Sequence, residues 1–169
     1  MIRRFMGESV HRVDQKGRVS VPAQFRRKLE VDDPDCAQGL NPNLVLIYGL
    51  YGGRCLEGYS VLTFGELNDS ISRMPRFSED RKILERIINT KSLFTQLDEN
   101  GRFVLPARLR EQVGIGDEAY FAGMGDRFQV WAPDAYAADE AGIAEDLAAP
   151  GREQDLLGRL DSAAGGDGS

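Results

Sequence analysis

Arg18 and Arg102 occupy the same place in two copies of one short motif. Residues 14–26 recur as residues 98–110 at a constant offset of 84, with Asp, Gly, Arg, Pro, Ala and the final Arg identical in both copies. A guanidinium group can donate two hydrogen bonds to O6 and N7 of guanine, and it also pairs with phosphate. The chemistry that this spacing offers is therefore recognition of an anion or of a base edge.

Each of these arginines also has an acidic residue close by in the chain. Asp14 and Asp98 stand four residues before Arg18 and Arg102, so each arginine can either contact DNA or pair with its own aspartate to stiffen a turn. We favour Arg18 over Arg102 as the DNA contact, because the second copy has Glu99 where the first has Gln15. An extra carboxylate is unfavourable beside phosphate.

Other basic residues cluster around the first copy. Lys16 lies at the expected turn tip and is a candidate phosphate contact, whereas charged helix faces are more often simply solvated. For Arg26 and its equivalent Arg110, a structural ion pair is as reasonable as DNA contact. The candidate DNA-binding residues are Arg18, Lys16, Arg102, Arg26, Arg27, Lys28, Arg3 and Arg4, and Arg12 could line the same surface along the DNA backbone.

The sequence offers no residue set for catalysis, for a metal or for a cofactor. His11 is the single histidine, so a Ser/His/Asp or Cys/His arrangement has little to draw on. Cys36 and Cys55 lack CxxC spacing, and the glycine-rich bend 49–53 lacks the Lys and Ser/Thr of a phosphate-binding loop. We therefore expect a protein that is not an enzyme and that uses no cofactor.

Charge is distributed unevenly along the 169 residues, whose net charge is −6. Residues 1–30 contain eight Lys and Arg against three Asp and Glu, whereas residues 133–169 contain two Arg against nine Asp and Glu. Binding to a polyanion depends on the local patch more than on the total. The basic residues at the beginning of the chain are thus compatible with DNA binding despite the negative net charge.

The motif itself predicts strand, tight turn, strand and short helix. Gly17 and Gly101 supply the positive φ that such turns require, and Asp14 and Asp98 can accept hydrogen bonds from the following backbone amides. We therefore assign these four residues to shaping the turn. Alternating Val19 and Val21 predict a strand with Arg18 on its solvent face, and a proline follows to start the helix.

The remaining chain predicts a mainly β protein with short helices, of the α+β class. Apolar runs indicate strands at 44–48, 54–61, 119–124 and 128–131, and residues 63–66 have the spacing of a helix capping box. The domain prediction is a first module at 5–62, bridging helices at 63–91, a second module at 92–134, a C-terminal helix at 135–149 and an acidic disordered tail at 150–169. No apolar run approaches the length of a membrane helix.

The doubled motif resembles that of the MraZ family of bacterial transcriptional regulators, which contain two tandem SpoVT-AbrB-like domains. The resemblance is carried by Asp14, Gly17, Arg18, Pro22 and Arg26 with their equivalents at offset 84, and it extends from about Phe5 to Trp131. It implies two pseudo-symmetric AbrB/MazE-like swapped-hairpin modules that form a double-split β-barrel. It also implies assembly into a homo-oligomeric ring.

The same resemblance implies a partner and a function. The partner would be double-stranded promoter DNA with short direct repeats, in front of the protein's own division and cell-wall gene cluster. We expect a cytoplasmic, nucleoid-associated regulator without membrane or small-molecule partners. Two alternatives stay open: an antitoxin-like protein-interaction module of the AbrB/MazE superfamily, and a structural ring protein without a DNA role.

Overall fold

A computed structural model describes residues 3–164 of the chain. Its strands are β1 (Glu8–Arg12), β2 (Arg18–Ser20), β3 (Asn43–Ile47), β4 (Leu56–Tyr59), β5 (Ser92–Gln96), β6 (Arg102–Val104), β7 (Glu118–Gly123) and β8 (Phe128–Trp131). Its α-helices are α1 (Ala23–Val31), α2 (Pro34–Ala37), α3 (Val61–Ser72), α4 (Glu79–Thr90), α5 (Ala107–Val113), α6 (Pro133–Ala148) and α7 (Arg152–Ala164). The result is a mixed α+β fold with antiparallel sheets and short helices, as predicted.

The strands form two antiparallel sheets that reflect the duplication. The larger sheet has the order β1-β7-β8-β4-β3-β5, and the smaller one pairs β2 with β6. β5 and β6 begin 84 residues after β1 and β2, and β7 and β8 correspond to β3 and β4 in chain order. Exchanging the two copies simply reverses the strand order of the larger sheet, so the sheet has internal pseudo-twofold symmetry.

The strands of each motif copy pair with strands that belong to the other copy. β1 pairs with β7, β5 pairs with β3, and β2 pairs with β6. The expected hairpin between the strands flanking the first turn is reduced to a single bridge, Val13 to Val19. Local periodicity predicted the strands correctly, but it does not report which distant strand provides the hydrogen-bonding partners.

The core of the unit that ends at Pro133 has an aromatic centre. Phe5, Phe25, Phe121 and Phe128 are almost fully buried, and their ring centroids lie 5.0–6.5 Å apart in mostly edge-to-face arrangements. Phe5 is fixed by two backbone hydrogen bonds with Gly125, of 2.8 and 3.0 Å. This cluster joins the beginning of the chain to α1 and to both strands of the β7–β8 pair.

The two bridging helices cover a second apolar cluster of the same unit. Buried Ile71 from α3 and Ile88 from α4 pack with Val45, Ile47 and Tyr59 of the larger sheet. The capping box lies at Ser60 and Thr63, three residues before the predicted one, because the Ser60 hydroxyl accepts from the Thr63 amide and the Thr63 hydroxyl accepts from the Ser60 amide.

Of the described residues, those at 134–164 belong to a separate compact unit. α7 occupies much of the stretch that was expected to be disordered, which corrects that expectation; residues 165–169 of the predicted tail lie outside the described part. The helix is favoured by Glu153 and Asp155 in its first turn and by an ion pair of Arg152 with Asp146, 3.0 Å apart. α6 begins two residues before the predicted C-terminal helix.

Candidate nucleic-acid interface

The two motif copies meet in the β2–β6 ribbon. Cα partners are Arg18 with Val104, Val19 with Phe103, and Ser20 with Arg102. Val19 and Phe103 are buried, so the alternation of a strand places the other four side chains on the outward face. Arg18 and Arg102, 84 residues apart in the chain, therefore lie on one surface of one ribbon.

Each arginine of the ribbon is held by the aspartate of its own turn. The Asp14 carboxylate accepts from the backbone amides of Lys16 and Arg18, at 2.9 and 2.8 Å, and from Nε of Arg18 at 2.7 Å. Asp98 makes the corresponding three bonds in the second copy, including 3.1 Å to Nε of Arg102. Pairing through Nε directs the guanidinium while its two terminal nitrogens stay available to a ligand.

These hydrogen bonds favour the ionised form of both aspartates. The backbone amide of Arg18 is the main cause that lowers the pKa of Asp14, and the backbone amide of Arg102 does the same to the pKa of Asp98. The alternative left open by the sequence, in which each arginine pairs with its aspartate, is therefore what the structure shows. The side chains of Arg18 and Arg102 are 38% and 32% exposed, so the pairing leaves part of each arginine accessible to solvent.

The two turns are interlocked through their glycines. Gly17 and Gly101 have φ of 82° and 74°, and the amides of Leu105 and Val21 donate to the carbonyls of Gly17 and Gly101, respectively, at 2.7 and 3.0 Å. A Cβ on Gly17 would lie 2.7 Å from the carbonyl oxygen of Leu105 in the other copy. Glycine is therefore required both by backbone conformation and by the close approach of the second strand.

Gly17→Ala is expected to destabilise the protein by about 3 kcal/mol, combining left-handed strain with a clash against backbone. Gly39→Ala is the matched control, since Gly39 has φ of 86° but no atom within 4 Å of the place that a Cβ would occupy. We expect Gly39→Ala to destabilise the protein by about 1 kcal/mol, because only the left-handed backbone conformation disfavours alanine there. Urea denaturation monitored by circular dichroism measures both, and equal losses would show that the contact with Leu105 is unimportant.

The last arginine of each motif copy lies against the turn of the opposite copy. Arg110 approaches Gly17 and donates from Nε to the carbonyl of Leu105 at 3.0 Å, and Arg26 lies against Gly101. Arg26 is also 3.7 Å from Glu30. Both arginines thus pack against the turns. Arg26 has the ion pair that the sequence left as an alternative to DNA contact, whereas Arg110 has a backbone hydrogen bond in its place.

Lys28 does not belong to an accessible basic surface, which corrects its place among the DNA-binding candidates. Its side chain is 8% exposed, its Nζ lies 2.9 Å from Asp32, and it stands 5.4 Å from the centre of the Phe5 ring. The Ser60 hydroxyl also donates to Asp32, at 2.6 Å. The ion pair therefore joins α1 to the beginning of α3, and its burial is compensated by pairing.

The remaining candidates lie at different places on the surface. Lys16 is exposed at the tip of the first turn, and Arg27 is exposed on α1. Arg3 and Arg4 are exposed beside a concavity that Glu66 and Asp126 also line, a location apart from the ribbon. The concavity at the ribbon itself includes Arg12, which the sequence also indicated for a surface that follows the DNA backbone. The charged and polar lining of this concavity comprises Arg12, Asp14, Gln15, Arg18, Ser20, Arg102 and Asp117.

The fold and the site together define a mixed α+β protein with a duplicated motif whose paired strands present arginines outward. The sequence model for the family described as "MraZ protein, putative antitoxin-like" matches residues 4–87 and 90–157. The chain belongs to this family.

Curated relatives agree with that membership. The chain is 50% identical over 147 residues to a protein of Ruegeria sp. (strain TM1040), covering 87% of this chain and 88% of the relative. It is 47% identical to a protein of Ruegeria pomeroyi, covering 86% and 87%, and 40% identical to one of Parvibaculum lavamentivorans, covering 79% of each. All three are named "Transcriptional regulator MraZ", a name for a regulator and not for an enzyme. Within residues 3–164, no helix has the length and apolar character to cross a membrane.

Proposed function

We propose that this protein is a sequence-specific DNA-binding transcriptional regulator. The observation that carries the proposal is the pairing of both motif copies in one ribbon, with Arg18 and Arg102 on its outward face. The major groove of DNA admits a two-stranded β-ribbon, and arginine is suited to bidentate contact with guanine there. The names of the relatives support regulation of transcription as the purpose of that contact.

The target in this proposal is a set of short direct repeats in the promoter of the protein's own division and cell-wall gene cluster. Several copies of the chain, arranged as a ring whose subunits each contain a closed double-split barrel, would engage successive repeats. Individually weak contacts would become tight only where repeat spacing matches subunit spacing. A promoter partner also places the protein at the nucleoid, in the cytoplasm.

Lys16 is assigned a phosphate contact in this scheme, because it is exposed at a turn tip beside the ribbon. Lys16→Ala should weaken binding to promoter and shuffled DNA by similar factors and reduce the slope of log affinity against log salt by about one for each bound subunit. Arg27→Ala, on α1, tests whether the helix contributes equally. Titrations at four salt concentrations give both slopes, and a loss confined to the promoter would contradict a phosphate role for Lys16.

The proposal is tested by fluorescence anisotropy with the protein's own upstream promoter segment and a shuffled segment of equal length. Both titrations use the same stated salt concentration, since affinity for DNA varies steeply with salt. We expect promoter binding at least about 10³-fold tighter than binding to the shuffled segment. Equal, weak binding to both would overturn the proposal.

A second candidate function is an antitoxin-like interaction with a basic protein. It is favoured by the description of the family and by the acidic character of the unit that begins at Asp134, where nine Asp and Glu stand against two Arg. Its distinguishing result is co-purification of a small basic protein from the native host. That partner should be lost when residues 134–169 are removed, while promoter binding persists.

A further inference from the structure

The outward face of the ribbon is symmetric in backbone but not in chemistry. Ser20 and Val104 occupy equivalent positions in the two motif copies, 84 residues apart, and each stands opposite an arginine of the other copy. One corner of the face therefore combines Arg18 with an apolar side chain, whereas the other combines Arg102 with a hydroxyl. The turns also differ in chemistry: the first turn has Lys16 at the position where the second turn has Asn100.

Val104 is an apolar side chain where the rest of the face is polar. It is 52% exposed, although its neighbours in the strand, Phe103 and Leu105, are 2% and 0% exposed. The Cβ atoms of directly opposed residues in an antiparallel pair stand about 5 Å apart. This is about one and a half base-pair steps of ~3.4 Å, so Val104 faces the base pairs next to those that the Arg18 side chain faces. In the major groove, the apolar feature that a base presents is the C5-methyl group of thymine.

We propose that Val104 is a specificity-determining residue that contacts a thymine methyl group next to the guanine read by Arg18. This inference rests on the proposed DNA-binding function. Ser20 beside Arg102 offers a hydrogen-bonding group instead and has no such preference. The ribbon consequently reads its site with one polarity, because rotating it by its pseudo-twofold axis would place a serine over the methyl group.

Replacement of thymine by uracil removes only the methyl group and leaves the hydrogen-bonding edge of the base unchanged. The probes are the promoter segment made with thymine and the same segment made with uracil, each titrated with the wild-type protein, Val104→Ser and Val10→Ser. Val104→Ser gives the second copy the side chain of the first. Val10 is the matched control, because it is 48% exposed on β1 of the larger sheet.

Wild-type protein and Val10→Ser should bind the uracil segment about fourfold more weakly for each methyl group read, the value expected from burying one methyl group. Val104→Ser should bind both segments equally, at the affinity of wild type for the uracil segment. Equal wild-type binding to both segments would overturn the inference, as would an unchanged thymine preference in Val104→Ser. If the wild-type protein did not discriminate between the promoter and a shuffled segment, the proposed DNA-binding function itself would be overturned.

Single uracil substitutions then locate the contact. The sensitive thymine should lie one or two base pairs from a guanine whose replacement by 7-deazaguanine, which lacks the N7 acceptor, weakens binding of wild type but not of Arg18→Ala. A sensitive thymine at a greater distance from that guanine would contradict the pairing of Val104 with Arg18.

Discussion

Arg18→Lys is expected to remove most of the promoter selectivity of this protein while leaving its affinity for shuffled DNA nearly unchanged. Lysine keeps the positive charge but lacks the planar pair of donors that guanine O6 and N7 accept. A bidentate contact contributes about 1–3 kcal/mol of discrimination, so the promoter-to-shuffled ratio should fall about 10- to 100-fold for each subunit that reads a repeat. Anisotropy titrations at one salt concentration measure this ratio.

Arg102→Lys is the internal comparison for this prediction. The two arginines have equivalent places in the ribbon, but the turn before Arg102 contains Glu99 and lacks a lysine. We therefore expect a smaller loss of selectivity from Arg102→Lys than from Arg18→Lys. Uniform weakening on both DNAs by Arg18→Lys would mean that the residue contacts phosphate only, and no change on either would remove the ribbon from the interface.

The second large effect is expected at a buried ion pair away from the ribbon. Glu57 of β4 is 2% exposed, and its carboxylate accepts from Nε of Arg127 at 2.6 Å and from the Tyr59 hydroxyl at 3.2 Å. Burial is the main cause that raises the pKa of Tyr59, so its hydroxyl remains a donor. Arg127→Met would leave a buried carboxylate without its cation and should destabilise the protein by about 3 kcal/mol.

Arg81→Met provides the matched control for that loss. Arg81 is 20% exposed, close to the 24% of Arg127, but its partner Glu85 is 46% exposed and stays hydrated when the arginine is removed. We expect a loss of about 1–2 kcal/mol for the control, because Arg81 also donates from Nη1 to the carbonyls of Met74 and Ser72. Urea denaturation measures both variants, and similar losses would contradict the special cost of leaving Glu57 unpaired. Adding Glu57→Gln to Arg127→Met should recover much of the stability, because the unpaired charge is then absent.

The local structure of the motif was largely predictable from the sequence. A glycine after an acidic turn residue indicated positive φ, which Gly17 and Gly101 adopt, and two-residue alternation placed Arg18 outward and Val19 inward. Both features depend on residues within a few positions of each other. The sequence also contained the duplication itself, from which the pseudo-symmetry of the larger sheet follows.

Features that depend on distant residues were not predictable in this way. The exchange of β1 onto β7 joins strands more than a hundred residues apart, and Glu57 pairs with Arg127 across 70 residues. In neither case do the residues nearby in the sequence indicate which distant strand or side chain is the partner. The ion pair of Lys28 could have been predicted, because Asp32 lies four residues later and i,i+4 residues of a helix are neighbours.

The assignment of the ribbon as the DNA surface is tested most directly by site-specific photocrosslinking to the promoter segment. Benzoylphenylalanine is placed at position 16, beside the ribbon, or at position 77, where Phe77 is 95% exposed between the bridging helices. After irradiation, crosslinked DNA should appear with the probe at position 16 and be absent with the probe at position 77. Crosslinking from position 77 without crosslinking from position 16 would contradict the assignment and place the interface on another face of the molecule.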